Sequence, residues 1–465
     1  MKYIGPFLRL NSLNKDNIKN QLFHLSKESM MDIIFNSRCG ITINTKELKN
    51  KQLSDLNTNI LKSTYPLLCI YKKSNPKLKS INDKLCWNED KVKKEINITT
   101  NAFMTLSLLE LSDYYNFFKN IDDSKYALSI IYANIAKKQL QFYACNMRND
   151  DGVFVDKIDL SDPSSNELKL EIKNEKFKFS DQAMLMAAFY KISLLDDSKE
   201  SIEYKNFSLD IMNMFTKFKQ DLYCLSIDEL LKVSLGLNIF YKYSKNEDAK
   251  VLLLDIFDLI TENYFSLAQL STVMKLESTC TYYINSILLY KNTNYIACKD
   301  IADKLYLELM KSYNDELGII IKYGEKNSLK FSPIEICLYI LSLMLNVKEC
   351  DNDSDNDYAH ILTSIFKKQL VNSGIILSWP ETPNLDDRER YKNFSLNSDD
   401  LLEEKDFKLP SIPSPENNNL APIFIKSISF NEKKQEFKQG KTSFYSEKNM
   451  PIFFYIIYLY NNCYL

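Results

Sequence analysis

The residues of this 465-residue chain that could do chemistry are carboxylates gathered on a few polar stretches. Asp150 and Asp151 sit in the turn Asn149-Asp150-Asp151-Gly152, and Asp181 follows Phe179-Ser180 at the head of the apolar run 183–190. Glu381 follows Trp379-Pro380, and Asp386 and Asp387 precede Arg388 within Asp-Asp-Arg-Glu-Arg-Tyr. Glycoside hydrolysis needs two carboxyl groups a defined distance apart, one protonated and one ionised. Asp181 and Asp151 are the expected acid–base pair, with Glu381 as the substitute partner. Plainer roles stand beside these. Asp181 could serve only as charge at a helix N-terminus. Asp150 and Asp151 could serve only the turn beside Gly152. Asp386 and Asp387 could be local ion-pair partners of the arginines.

Ligand-binding candidates come from the residue types this chain uses least. Lys carries most of the positive charge, and Arg occurs only at 9, 38, 148, 388 and 390. The planar fork of Arg binds bidentate anions in a way Lys does not copy. Arg38, Arg148 and Arg388 are therefore expected to hold a ligand's charge, and Trp87 and Trp379 its apolar face. Loops also attract Gly and surface Arg for their own sake, which explains the loop glycines well and the arginines and tryptophans less well.

Several chemistries are disfavoured. Only His24 and His360 exist, so zinc sites built on histidine and Ser-His-Asp arrangements have little to work with. The ten cysteines form no CxxC pair and read as reduced core thiols. No phosphate-cradling or dinucleotide fingerprint is present, and neither cofactor nor metal is expected. The acidic run 351–357 lacks the Gly and Glu of a calcium loop, with Asn356 and Leu362 at those positions. It reads as a solvated linker. A net charge of −2, from 59 basic and 61 acidic residues, favours neither nucleic acid nor an anionic membrane. The N-terminus shows no apolar leader, and the apolar run 451–460 is too short to span a bilayer. A cytoplasmic location is the expectation.

The elements that must position these residues repeat along the chain. An amphipathic helix leads through a polar loop into a more uniformly apolar helix. The unit 126–193 shows this most clearly, with a one-sided stripe of Ala127, Leu128, Ile131, Ile135 and Leu140 before the loop. The pattern recurs at 296–345, where Ser332, Pro333 and Glu335 spell a capping box. It appears again from 361 to 460, through Gly374 and 375–379. A copy near the N-terminus runs from 30–35 through Gly40 to a helix at about 99–115. Two shorter pairs join 207–218 to 227–243 and 249–263 to 279–290. Six pairs make an all-α chain, a single domain over 1–465 with short β-hairpins in the outer-to-inner loops. The polar insert 383–419 is a candidate lid.

This rhythm resembles the six-hairpin (α/α)₆ toroid superfamily over nearly the whole chain, with an open α-solenoid as the rival architecture. The resemblance implies that all outer-to-inner loops and all inner-helix N-termini share one face. It also implies a company of glycoside hydrolases, polysaccharide lyases and sugar epimerases, although fold alone assigns no activity. An epimerase of this kind would use a pair of rim histidines, which this chain does not offer. The expected function is a carbohydrate-active enzyme of hydrolase or lyase type, acting on a glycan or anionic small molecule. The alternative is a non-catalytic ligand-binding or scaffold protein that retains the toroid.

Overall fold

The computed structural model describes residues 2–4, 15–48, 53, 61, 64–81, 84–162, 167–269, 275–322, 329–346, 354–381, 387–392, 412–414 and 419–462. The candidate lid at 383–419 lies largely outside the described residues, as does Asp386.

Among the described residues, twelve long helices follow one another. They are α1 (Lys15–Asn36), α2 (Ile98–Asn116), α3 (Asp123–Asn146), α4 (Phe179–Ile192), α5 (Lys199–Lys217) and α6 (Ile227–Ser244). Then come α7 (Glu247–Gln269), α8 (Leu276–Thr293), α9 (Ile296–Met310), α10 (Pro333–Leu345), α11 (Ser354–Ile365) and α12 (Ser446–Asn461). The odd-numbered helices are outer and the even-numbered ones inner, as their composition requires. In α4 every residue is buried, and in α10 only Glu335 is not. In α5 the buried residues are Ser201, Tyr204, Ser208, Ile211, Met212 and Phe215, a single stripe at three- and four-residue spacing.

Each inner helix packs against the next: α2 on α4, α4 on α6, α6 on α8, α8 on α10 and α10 on α12. The ring closes because α12 returns to pack on α2. Phe103 of α2 meets Phe454 and Tyr455 of α12, with ring centroids 5.3 and 6.4 Å apart. This closure excludes the open solenoid. Outer helices back the ring, and α1 completes it against α12, where Phe23 stacks on Tyr460 at 3.9 Å. The architecture is an (α/α)₆ toroid.

The loops on the outer-to-inner side hold more strand than the sequence reading allows. Strands β1 (Gly40–Thr42), β2 (Leu67–Ile81), β3 (Lys84–Ile96), β4 (Lys157–Asp159), β5 (Leu170–Ile172) and β6 (Phe444–Tyr445) form one antiparallel sheet in the order β6-β2-β3-β4-β5, with β1 also on β2. The sheet draws on the first, second and sixth such loops and ties them together beside the starts of α2, α4 and α12. A three-stranded sheet joins the last two loops through Leu329–Phe331, Ile428–Asn431 and Glu436–Gln439. The expected linker at 351–357 is already helical from Ser354, where α11 begins. Among the described residues, no helix is long and apolar enough to cross a membrane.

Candidate functional site

Helix starts make the site. The first backbone N–H groups of a helix need partners from outside it. At α2 they are supplied locally and from the next loop. Asn97 caps the helix by accepting from Thr100 N at 3.0 Å. The carboxylate of Asp156, one residue before β4, accepts from Ile98 N at 2.9 Å and from Asn97 Nδ2 at 3.0 Å. At α4 the residue in the cap position is Lys178, which offers no side-chain acceptor. Glu229 of α6 fills the gap by accepting from Ser180 N at 3.0 Å.

Asp181 is the third residue of α4, 1% exposed. Thr99 Oγ1 of α2 donates to Asp181 Oδ1. The Lys178 ammonium stands 3.0 Å from Asp156 Oδ2 and 3.6 Å from Asp181 Oδ2. One ammonium therefore bridges two carboxyls, which lie no further apart than those two distances laid end to end. Burial drives the Asp181 carboxyl up to about 7, and the negative charges of Asp156 and Glu229 add to the rise. Lys178 and the Thr99 hydroxyl offset only part of it. Burial alone would lower Lys178, but Asp181 and Asp156 raise it above its ordinary value. Gln182 sets the position of the loop carrying Asp156. Its side chain accepts from Phe154 N at 3.0 Å and donates to Phe154 O at 2.9 Å.

The other sequence candidates are placed elsewhere or already engaged. Asp151 is exposed on its own turn, in contact with Asn149 Nδ2 at 3.4 Å, while the carboxyl that shares an ammonium with Asp181 is Asp156. Arg148 folds back on that turn, where its Nε donates to Gly152 O at 2.7 Å and its guanidinium lies 5.3 Å from the Phe207 ring centroid. Arg38 bonds Glu89 at 2.7 Å and lies over the Tyr65 ring at 4.0 Å. Trp87 is 1% exposed, its Nε1 donates to Asp32 Oδ2 at 2.7 Å, and its edge meets Phe444. It leaves no face for a sugar. Trp379 is half-buried against the core. Glu381 is exposed, and its backbone carbonyl lies 2.8 Å from Nε2 of buried His24.

Arg388 departs furthest from the expected shared rim. It opens a short helical turn, Arg388–Tyr391, whose neighbours pull it to the other end of the ring. Glu389 accepts from Lys27 of α1 at 2.6 Å and from Lys125 in the first turn of α3 at 3.1 Å. Asp387 also takes Lys125 at 3.1 Å, and Lys392 lies over Tyr114 near the end of α2. Asp387 and Glu389, on either side of Arg388, are thus paired with lysines distant in the chain. Burial would raise Glu389, but Lys27 and Lys125 hold it down to about 2.

Lysines pair with the carboxylates of these loops. Lys72, Lys93 and Lys173 converge on Glu95 of β3, and Lys322 reaches Glu335 at 2.7 Å. Among the described residues, no group of three His, Cys, Asp or Glu side chains is placed to hold a metal ion. Burial pushes the thiols of Cys39 and Cys69 up to about 12, which makes them poor nucleophiles. Sequence reasoning missed Asp156, Lys178 and Thr99, and it read Glu229 as the capping-box partner of Ser226, whereas its carboxylate accepts from Ser180 N of the neighbouring inner helix. Thr99 and Lys178 carried a local signal, as residues at the starts of apolar helices.

No protein-family model and no curated protein matches the sequence. Three solved structures similar to this chain are unsaturated glucuronyl hydrolases from Streptococcus agalactiae. The unmutated enzyme is 11% identical, with a TM-score of 0.45 over 100% of this chain and 96% of that one. A point mutant gives 12% identity and a TM-score of 0.44, covering 100% of this chain and 98% of that one. A second mutant, complexed with dGlcA-GalNAc6S, gives 11% and 0.45 over 100% and 98%.

Proposed function

We propose that this chain is a carbohydrate-active hydrolase working at the mouth of the ring, with Asp181 as its proton donor. The observation that carries this reading is the Asp181 carboxyl itself. It is buried at an inner-helix start and pushed up to about 7, so it keeps its proton close to neutral pH. A general acid for glycoside cleavage works best in that state. The reading rests on this group and not on the likeness to solved hydrolases.

The neighbours suit such a role. Asp156 is held by Asn97, Ile98 and Lys178, so it positions the lysine rather than acting on a ligand. The Lys178 side chain is 41% exposed and bridges to Asp181 from the solvent side. Its movement onto the anionic or hydroxyl-rich part of a glycan uncovers Asp181. The test is hydrolysis of a panel of aryl glycosides and uronide oligosaccharides by the wild type and by Asp181→Asn. We expect wild-type turnover, and a loss of about 10²- to 10⁴-fold in kcat/KM for Asp181→Asn with the fold intact. Equal activity of the two proteins overturns the assignment.

The second reading, a ligand-binding ring without turnover, is favoured by the 1% exposure of Asp181. Binding of panel members without hydrolysis would select it.

A further inference from the structure

A cavity of about 510 Å³, open to solvent on one side, lies between the fifth and sixth outer-to-inner loops. That volume falls in the range of small-molecule pockets. Its floor is apolar. Leu317 and Ile319 come from the loop after α9, and Phe430 and Phe437 from the hairpin that runs from Ile428 to Gln439. The two phenylalanine rings lie 4.8 Å apart. Phe430 is buried, while Phe437 is half-buried and leaves part of its ring surface to an occupant.

The walls are braced. Lys368 Nζ donates to Leu317 O at 2.7 Å and Ser364 Oγ to Gly318 O at 3.0 Å, which ties that loop to the last turns after α10. Gly318 has a φ of +65°, and a Cβ there would meet Lys368 Nζ and Ser364 Oγ at 2.5 Å each, so the close approach needs glycine. On the other wall, Gln439 Nε2 donates to Gly374 O at 2.8 Å, and strand Ile428–Asn431 pairs with Leu329–Phe331. A preformed pocket needs little ordering on binding.

The rim is polar and unused. Asn372, Gln435 and Glu436 line it, and among the described residues their side chains make no hydrogen bond or ion pair. Two amides and one carboxylate present several acceptors and donors to hydroxyl groups. The Lys368 ammonium, also at the rim, is committed in part to Leu317 O. The uncommitted charge there is the negative charge of Glu436.

We propose that this cavity binds a neutral sugar residue of a glycan, with an apolar ring face on Phe437 and hydroxyls on Asn372, Gln435 and Glu436. An apolar floor under a hydroxyl-matching rim selects that class. A wholly apolar ligand would strip water from the rim groups and give them no partner. A uronide would set its carboxylate beside that of Glu436. The site shares no residue with the surroundings of Asp181, yet its walls belong to the same set of outer-to-inner loops. It therefore holds one part of a long glycan on the face where the mouth opens, and it does so whether or not the mouth turns that glycan over.

The experiment is calorimetric titration with cellotetraose, maltotetraose and chitotetraose, alongside tetragalacturonate and the dipeptide alanyl-phenylalanine. The proteins are wild type, Phe437→Ala, Asn372→Ala and Glu436→Gln, with Asp181→Asn added where turnover would consume the ligand. Thermal melting reports folding for each. We expect at least one neutral tetrasaccharide to bind, Phe437→Ala to weaken it about tenfold or more, and the two rim variants to weaken it about three- to tenfold. Asn372 and Glu436 are exposed, so these two variants decide the matter if Phe437→Ala does not fold. No binding of any neutral tetrasaccharide overturns the proposal, as does tighter binding of tetragalacturonate or the dipeptide. Neutral binding at full strength in every folded pocket variant places the sugar elsewhere and overturns it too.

Discussion

At the residue scale the mouth is governed by one question, which is how each buried carboxyl is paid for. Asp181 answers by staying protonated, and that has a cost which pH reveals. Its folded value of about 7 lies above the ordinary 3.8. Between these the unfolded chain has released the proton and the folded chain has not. Stability therefore falls as pH rises through that window and levels off above it. The full effect is on the order of 4 kcal/mol. Asp181→Asn removes the titration, so its melting temperature should overtake the wild type's as pH rises from about 4 to 7. Parallel melting curves at all pH values would refute this. Glu389 has the opposite sign. Lys27 and Lys125 hold it down to about 2, so its contribution is present above its ordinary 4.5 and fades as pH drops towards 2. Glu389→Gln removes one of the two carboxylates on Lys27, which is 4% exposed and keeps Glu28 at 2.7 Å, and should destabilise the fold by about 1 to 3 kcal/mol in urea unfolding. Asp181 was legible in the sequence because a helix start announces itself locally. Asp156 was not, because its meaning comes from Asn97, Ile98 and Lys178, residues on other elements. Rarity marked out Arg38 and Arg148, and in the fold each gives a donor to a partner within its own loop, Glu89 and the Gly152 carbonyl.

At the scale of elements, the helices follow from periodicity and caps that the chain spells out. Ser332 caps α10 with a full capping box, as its Ser-Pro-x-Glu pattern foretells. Ser226 caps α6 by accepting from Glu229 N. The long hairpin β2–β3 was less legible. Its strands are rich in Lys and Asn, and their alternation shows only once Trp87 and Ile96 are known to face the core. Packing between α4 and α6 turns on Gly236. A Cβ there would meet Ala183 Cβ at 2.7 Å and its backbone carbonyl carbon at 2.8 Å. In an open helix Gly→Ala stabilises. Here Gly236→Ala should instead destabilise by about 1 to 3 kcal/mol, because the two backbones must part. Because α4 carries Asp181 and α6 carries Glu229, the same variant should also disturb the mouth. A more stable Gly236→Ala protein would show that the helices have room to spare.

At the scale of the molecule, closure of the ring gives the mouth its sense. Six inner helices start around one axis, and α12 seals the circle against α2 and α10. Deleting residues 446–465 removes the seal and bares the flanks of α2 and α10. We expect that truncated chain to lose the single cooperative thermal transition of the full protein, followed by circular dichroism. An unchanged transition would mean that the ring is not one folding unit. The circle was legible as six repeated pairs, since repetition is a property of sequence. That one rim would gather every rare residue was not, because Lys27 and Lys125 draw the segment bearing Arg388 to the opposite end. The account as a whole depends on the mouth holding a carboxyl that remains protonated near neutral pH. Carboxyl-carbon NMR of aspartate-labelled protein, with Asp181→Asn to assign the signal, measures that state directly. A resonance lost in the variant should titrate near about 7. One that titrates in the ordinary aspartate range would mean that Asp181 is a charged helix cap and no proton donor.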